Sequence, residues 1–295
     1  MPTGQAFLNI LANTAIVFDP AATPPLIVDE ARLRALAAPE QGAMAASGMA
    51  TRRDEGIMAL SPIGGGAAQN IPAIVVLGAD GPPGGGNGAS ASLTEPARAG
   101  AILITVAGNG TPSTTSRADG GGALCAGAGG DGLVVALGGH GATGGVPTTP
   151  GGNGQDGGHG GQAIAIAFVD GAVVFAHGGD GQPLSYGGLG AAGVRLFIFL
   201  GPFISPPIPP GTDGNFDGSG GDSWAIGGND SRLLAYGGAA SPTTPAPPPM
   251  GPAGLGPGGP PNFPFPGRAT VIHGLRCQIT AKNGDGTPGA VKQRP

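Results

Sequence analysis

LVVALGGHGATGGVPTTPGGNGQDGGHGGQAIAIAFVDGAVVFAHGGDG, residues 133–181, carries the pattern that decides the fold. Three apolar runs of strand length stand in it, LVVAL from Leu133, AIAIAFV from Ala163 and AVVFAH from Ala172. Two of them close on a Gly-His-Gly or Gly-Asp-Gly punctuation, at Gly141 and Gly181. Outward from this stretch the theme recurs: IVVLGADG ends at Gly81 and LITVAGNG at Gly110, with weaker copies in WAIGGND, LLAYGG and ITAKNGDG. AIAIAFV alternates Ala with larger residues, which suits a strand with one face pressed against another layer. Asp170-Gly171 follows it and predicts a hairpin to AVVFAH. Both faces of AIAIAFV are expected to be buried, so Ala165→Asp and Ile166→Asp are both expected to abolish assembly.

The chain holds 63 glycines and 32 prolines in 295 residues, 11% charged residues and a net charge of -5. Ordering each glycine costs more backbone entropy than ordering any other residue. Segments such as GGGALCAGAGGDG (120–132) and GGNGQDGGHGG (151–161) therefore need dense hydrogen bonding to neighbours. The expected fold class is mainly β: layered short strands with Gly-rich polyglycine-II-like segments and a small helical N-terminal region.

Four regions follow: an N-terminal anchor or assembly region over 1–70, a glycine-rich repetitive β domain over 71–240, a Pro-rich spacer over 241–267 and a C-terminal strand segment over 268–295. In the first, VDEARLRALAA predicts a helix over Val28–Ala38, with Asp29 and Glu30 at its N-terminus and Pro39 as its stop. The Ala/Met-rich stretch Met44–Leu60 is a second helical candidate. VRLFIFLGPFI (194–204) is too short to span a bilayer and contains Arg195 and Pro202, and the apolar run 194–210 reads as a subunit contact. Phe7–Phe18 is apolar but lacks the basic flank and cleavage site of a signal peptide.

The sequence lacks a basic tract, which argues against nucleic-acid binding. Cys125 and Cys277 allow one bridge or two free thiols. Gly139-x-Gly141-x-x-Gly144 has dinucleotide-binding spacing, but GVPTTPGGNG after it cannot open a helix. GGNGQD (151–156) matches the first six positions of a calcium-binding nonapeptide, and GGNDSRL (227–233) echoes it, yet no nine-residue period follows. Asp156, Asp180 and Asp285 are the isolated calcium candidates, against the simpler account that Asp and Asn cap turns. His140, His159 and His177 would meet if the repeats stack, giving a metal candidate against solvated turn histidines. Trp224 and Tyr236 are expected to be exposed aromatics and are candidate glycan contacts, against ordinary strand packing. TPSTTS from Thr111, VPTTP from Val146 and SPTTP from Ser241 are candidate O-glycan carriers of a surface protein, against the simpler account of Pro-bounded polar loops. No catalytic pair stands out, and no catalytic, cofactor-binding or metal residue is assigned.

AILITVAGNGTPSTTSRADGGGALCAGAGGDGLVVALGGHG, residues 101–141, resembles the glycine-rich domains of bacteriophage tail-fibre and receptor-binding proteins. Ile104-Thr105-Val106, Ser113–Ser116, Ala123-Leu124 and Gly127–Gly132 carry the resemblance. It implies layered β and polyglycine-II structure, often trimeric, that binds host surfaces through distal loops. The spacer and residues 194–210 lie outside that pattern. Similar repeats occur in secreted bacterial surface proteins and filaments. The expectation is a non-enzymatic virion fibre, spike or decoration subunit. Its partners would be copies of itself as a trimer or polymer, other virion or surface proteins through 1–70 and 194–210, and a host-surface glycan, without nucleic acid or a membrane span. The alternative is a self-assembling extracellular filament or surface-layer subunit of a bacterium.

Overall fold

The computed structural model describes residues 2–22, 25–96, 100–127, 130–149, 152–185, 217–241 and 264–294, and the backbone of 195–198 and 201–204. The first region contains α1 (Gly4–Leu11), β1 (Ile16–Phe18), β2 (Leu26–Val28), α2 (Glu30–Ser47) and β3 (Thr51–Leu60). Then come β4 (Gln69–Gly78), β5 (Ala91–Thr94), β6 (Ile102–Val106), β7 (Ala123–Gly127), β8 (Leu133–Leu137), β9 (Ala163–Ala167) and β10 (Val173–His177). Next are β11 (Arg195–Ile198), β12 (Gly201–Ile204), β13 (Ser223–Ile226) and β14 (Arg232–Tyr236). The chain closes with β15 (Ala269–His273), β16 (Gln278–Lys282) and β17 (Ala290–Gln293).

From β4 onward, setting aside the separate β11–β12 antiparallel pair, successive strands alternate between two sheets. The seven-stranded sheet runs β16-β14-β10-β8-β6-β4-β3, and the six-stranded sheet runs β17-β15-β13-β9-β7-β5. Every pairing in them is parallel except β3 with β4. This overturns the mainly β expectation of layered short strands with polyglycine-II-like segments. The layout is mixed α/β, with largely parallel sheets and helices packed on one of them. The physical reason lies in the connections. Asp170-Gly171 does not close a hairpin; it carries the chain from β9 in one sheet to β10 in the other. Each strand therefore pairs with the second strand along the chain, and those partners run the same way.

The N-terminal helix is also longer than its sequence suggested. Asp29 caps α2 by accepting from the Arg32 N–H at 3.1 Å, and Gly48 ends it in the left-handed region at φ 76°. Pro39 lies inside the helix on its exposed side, where the carbonyl of exposed Ala35 that loses its donor faces water. Leu33, Ala37, Gln41 and Met44 form the buried stripe. The Met44–Leu60 candidate helix splits into the end of α2 and strand β3.

Both faces of the seven-stranded sheet are covered at its central strands β6, β8 and β10. Outward, Ile102, Ile104, Val106, Leu133, Val135 and Leu137 pack under Phe7, Leu8, Leu11, Leu33 and Met44. Inward, Leu103, Val134, Ala136, Val174 and Ala176 meet Ala91, Ala123, Cys125, Ala163, Ala165 and Ala225 of the six-stranded sheet. Continuous apolar runs such as LVVAL are what a parallel strand buried on both faces requires.

The space between the sheets narrows along each strand. Inward positions of the seven-stranded sheet shrink toward the strand end: Val134, Ala136, Gly138; Val174, Ala176, Gly178; Leu233, Ala235, Gly237. Inward positions of the six-stranded sheet grow from the strand start: Gly161, Ala163; Gly267, Ala269, Val271. Where both series reach glycine, the two layers touch backbone to backbone.

Candidate functional site

At that narrow end the layers hydrogen-bond directly to each other. A continuous ladder zigzags between them: Gly108 N–H donates to Ala89 O, Gly121 to Gly108, Gly139 to Gly121 and Gly161 to Gly139, all at 2.8–2.9 Å. It continues through Gly179, Gly221, Gly238, Gly267 and Gly284 in the same manner. A second rung three residues further out joins Ala118, Ala142, Gly158, Gln182, Gly218 and Ser241. The bonding therefore repeats every third residue. Gly138 N–H donates to His177 O of the next strand crossing in its own layer, and Gly139 donates across to the other layer. A Cβ on Gly139 would lie 1.9 Å from the Gly108 carbonyl oxygen, and one on Gly179 would lie 1.8 Å from that of Gly139. In the inner triplets, at Gly138 and Gly139, Gly160 and Gly161, and Gly178 and Gly179, the obstacle is backbone, which cannot step aside, whereas the outer rung accommodates Ala118, Ala142, Gln182 and Ser241.

The third position is where side chains appear, and they are structural. Asp80 Oδ1 accepts from Asn109 N–H at 2.8 Å, Asn109 Oδ1 from His140 N–H at 2.9 Å, His140 Nδ1 from Asp180 N–H at 2.9 Å and Asp180 Oδ1 from Ala239 N–H at 2.7 Å. The other layer repeats the device: Asn87 Oδ1 accepts from Asp119 N–H, Asp119 Oδ1 from His159 N–H, His159 Nδ1 from Ser219 N–H and Ser219 Oγ from Phe265 N–H, at 2.8–3.1 Å. Each side chain supplies the acceptor that the third backbone N–H lacks. This is the chemical content of the Gly-Asn-Gly, Gly-His-Gly and Gly-Asp-Gly punctuation, and the simple turn-capping account of those residues had missed it. A readable signal was present: every third-position residue up to Ser219 carries an acceptor atom.

The candidate residues fall into place accordingly. His140 and His159 cap opposite layers. His177, the last residue of β10, places Nδ1 2.7 Å from both Glu30 oxygens of α2. Burial alone pushes the Glu30 carboxyl up, but the hydrogen bond and charge of His177, with Arg34 beside it at 2.8 Å, outweigh this and hold it at about 2. Arg34 also donates Nη1 to Gly138 O at 2.9 Å, tying α2 to the glycine edge. Gln41, buried, donates Nε2 to Gly78 O and Ala107 O at 3.1 and 2.9 Å. Asp180 is a cap, and Asp285 accepts from the N–H and hydroxyl of Thr287 in its own turn. Asp156 lies in the crossing from β8 to β9. Among the described residues no three His, Cys, Asp or Glu side chains gather in a group that could hold a metal ion. Gly139, Gly141 and Gly144 belong to the hydrogen-bonded edge, and Gly144 donates to Pro183 O instead of opening a helix. Cys125 is buried, Cys277 is half-buried and both are free.

Trp224 and Tyr236 are half-buried, not exposed. Tyr236 packs on Phe175 and His177 with ring centroids 5.7 and 5.8 Å away. Trp224 stands on the outer face of the six-stranded sheet in register with Ile164 and Thr270. That face also presents Leu124, Ile166, Ile226 and Ile272, all half-exposed, so only the Ala165 side of β9 is fully buried. The side chains of 194–210 and most of the Pro-rich spacer lie outside the described residues.

Because all strands after β3 in one sheet run toward the glycine edge and all in the other run from it, crossings from the first sheet to the second leave and return there. They occupy 79–90, 107–122, 138–162, 178–222, 237–268 and 283–289. At the opposite end the connections are four to seven residues long, 95–101, 128–132, 168–172, 227–231 and 274–277. The glycine edge is thus the base at which connections of unequal length begin and end, and it is the candidate functional site. Comparison with protein-family models, curated proteins and solved structures returned no match. No helix among the described residues is long and apolar enough to cross a membrane.

Proposed function

We propose that the chain is a non-enzymatic structural and adhesive protein, a virion fibre, spike or decoration subunit of a bacteriophage whose loops contact a host-surface glycan. One observation carries this reading: loops of very different length share a single edge, and their roots are fixed by a ladder made almost entirely of backbone. Such a base keeps its shape whatever sequence the loops carry, which is what a surface under selection for changing targets needs. The polar side chains near the edge support the same reading, since Asp80, Asn109, His140 and Asp180 are engaged in holding backbone N–H groups. Loop tips fit glycans better than the sheet aromatics do, because Tyr236 is committed to packing.

The test replaces residues 146–152, which lie between Gly145 and Gln155 and leave their bonds to Ser113 and Ser185 in place, by a Gly/Ser spacer of equal length and measures binding to bacterial cells and a glycan array. Loss of binding with an unchanged melting temperature supports adhesion through the loops. Unchanged binding contradicts it.

A second reading, a self-assembling filament or surface-layer subunit, rests on the outer face of the six-stranded sheet. Leu124, Ile164 and Trp224 in one row, and Ile166, Ile226 and Ile272 in the next, form an uncharged half-exposed patch. Mass photometry and negative-stain microscopy separate the two readings: discrete oligomers favour the first, and long polymers lost on Ile226→Asp favour the second.

A further inference from the structure

We propose that His140 and His159 form an acid-sensitive clamp on the glycine edge, one histidine in each layer. His140 Nδ1 accepts the Asp180 N–H at 2.9 Å, and His159 Nδ1 accepts the Ser219 N–H at 2.8 Å. Asp180 and Ser219 are the two roots of one crossing, the connection from β10 to β13. Both roots are therefore held by imidazole nitrogens of the preceding crossing. An imidazole accepts only while that nitrogen keeps its lone pair, so each ring is neutral with its proton on Nε2. Protonation sets N–H against N–H at both roots at once.

The surroundings favour the neutral rings. His140 faces Arg34 and Glu30 from α2, His177 from β10, and Asp180, whose Oδ2 lies 3.3 Å from Nδ1. His159 faces Arg117, Asp119 and Asp156, with Arg117 Nη1 2.9 Å from Nε2. Arg117 only donates, so the neutral ring satisfies one of its two donor neighbours, here the Ser219 N–H at Nδ1, whereas an imidazolium would satisfy neither. Burial first, then Arg34 for His140 and Arg117 for His159, lowers each ring's pKa, against the opposing pull of Asp180 on one and of Asp119 and Asp156 on the other. Both folded pKa values lie below the ordinary 6.5. The unfolded chain therefore binds more protons as pH falls through 6.5, and the stability these caps contribute is present above that pH and declines below it. The chain itself offers the control, because Asn109 fills the same ladder position with an acceptor that does not titrate.

The experiment compares the wild type with the double variant His140→Asn/His159→Asn, following thermal unfolding and amide exchange at Asp180 and Ser219 from pH 7.5 to 5. The expected result is a wild-type melting temperature that falls with acid by several degrees more than that of the double variant. Exchange at the two amides, corrected for its intrinsic pH dependence, should be about tenfold faster at pH 5 in the wild type only. Identical pH profiles for the two proteins overturn the clamp. Should the double variant not fold, nitrogen shifts of the wild-type imidazoles at pH 7.5 decide: an unprotonated Nδ1 on both rings supports the clamp, and a protonated Nδ1 on either overturns it.

Discussion

Each crossing of this molecule has two halves, and they are held together by opposite means. In the strand half, Leu, Val and Ala side chains fill the space between sheets, and burial of apolar surface does the stabilising. At the inner rung of the glycine half there are no side chains to bury, and the layers are joined by N–H···O bonds that side chains would prevent. The comparison teaches that glycine content alone says nothing about looseness. What matters is whether each N–H has a partner. In this edge the first two N–H groups of a triplet find carbonyls and the third finds a side chain from the preceding crossing.

The comparison breaks most visibly at Ala165 and Ile166, neighbours on β9. Ala165 is fully buried between the sheets, whereas Ile166 points to the half-exposed outer face. Ala165→Asp leaves a carboxylate without a counter-charge and is expected to cost roughly 3–5 kcal/mol, with no folded protein recovered. Ile166→Asp should fold, with a urea midpoint near the wild type's. Next comes the seam between the halves, where Glu30 joins α2 to His177. Its pKa drops from 4.5 to about 2 on folding, so the contribution is full above 4.5 and is lost as pH falls toward 2. Acid titration followed by circular dichroism should show a loss on the order of 3 kcal/mol in the wild type that Glu30→Gln lacks.

Within the glycine half, Gly139→Ala is expected to destabilise by about 1–3 kcal/mol or more, because the methyl meets backbone. Gly84→Ala, where nothing lies within 4 Å, should stay within about 0.5 kcal/mol of the wild type in the same denaturation assay. The smallest effect is a gain. Ser223 occupies the inward row otherwise filled by Ala91, Ala123, Ala163 and Ala269, and its Oγ is buried with no hydrogen bond. Ser223→Ala should stabilise by about 1 kcal/mol, read as a rise in melting temperature.

The sequence showed where strands lie better than how they pair. AILITVA and AIAIAFV mark β6 and β9 because apolar runs bounded by glycine have few other uses. Pairing was hidden, since the partner of each strand is two strands away and the intervening one belongs to the other sheet. A local signal such as Asp170-Gly171 describes a turn and not which sheet receives the chain. Pro39 misled because the local sequence does not show that Ala35, whose carbonyl loses its donor, lies on the exposed side of a helix whose other face is packed. The capping roles of Asn109, His140 and Asp180 depend on residues 31, 40 and 59 positions away and could be read only once the crossings were stacked. The taper from Val134 through Ala136 to Gly138, repeated in β10 and β14, was in plain view and encodes the approach of the layers.

Native-state amide exchange tests the central claim most directly. The interlayer ladder predicts that Gly139, Gly161, Gly179, Gly221 and Gly238 exchange as slowly as the amides of β8 and β10, opening only with global unfolding. Exchange of these glycines within minutes, while the strands remain protected, would contradict a backbone-held edge and leave the loops without a fixed base.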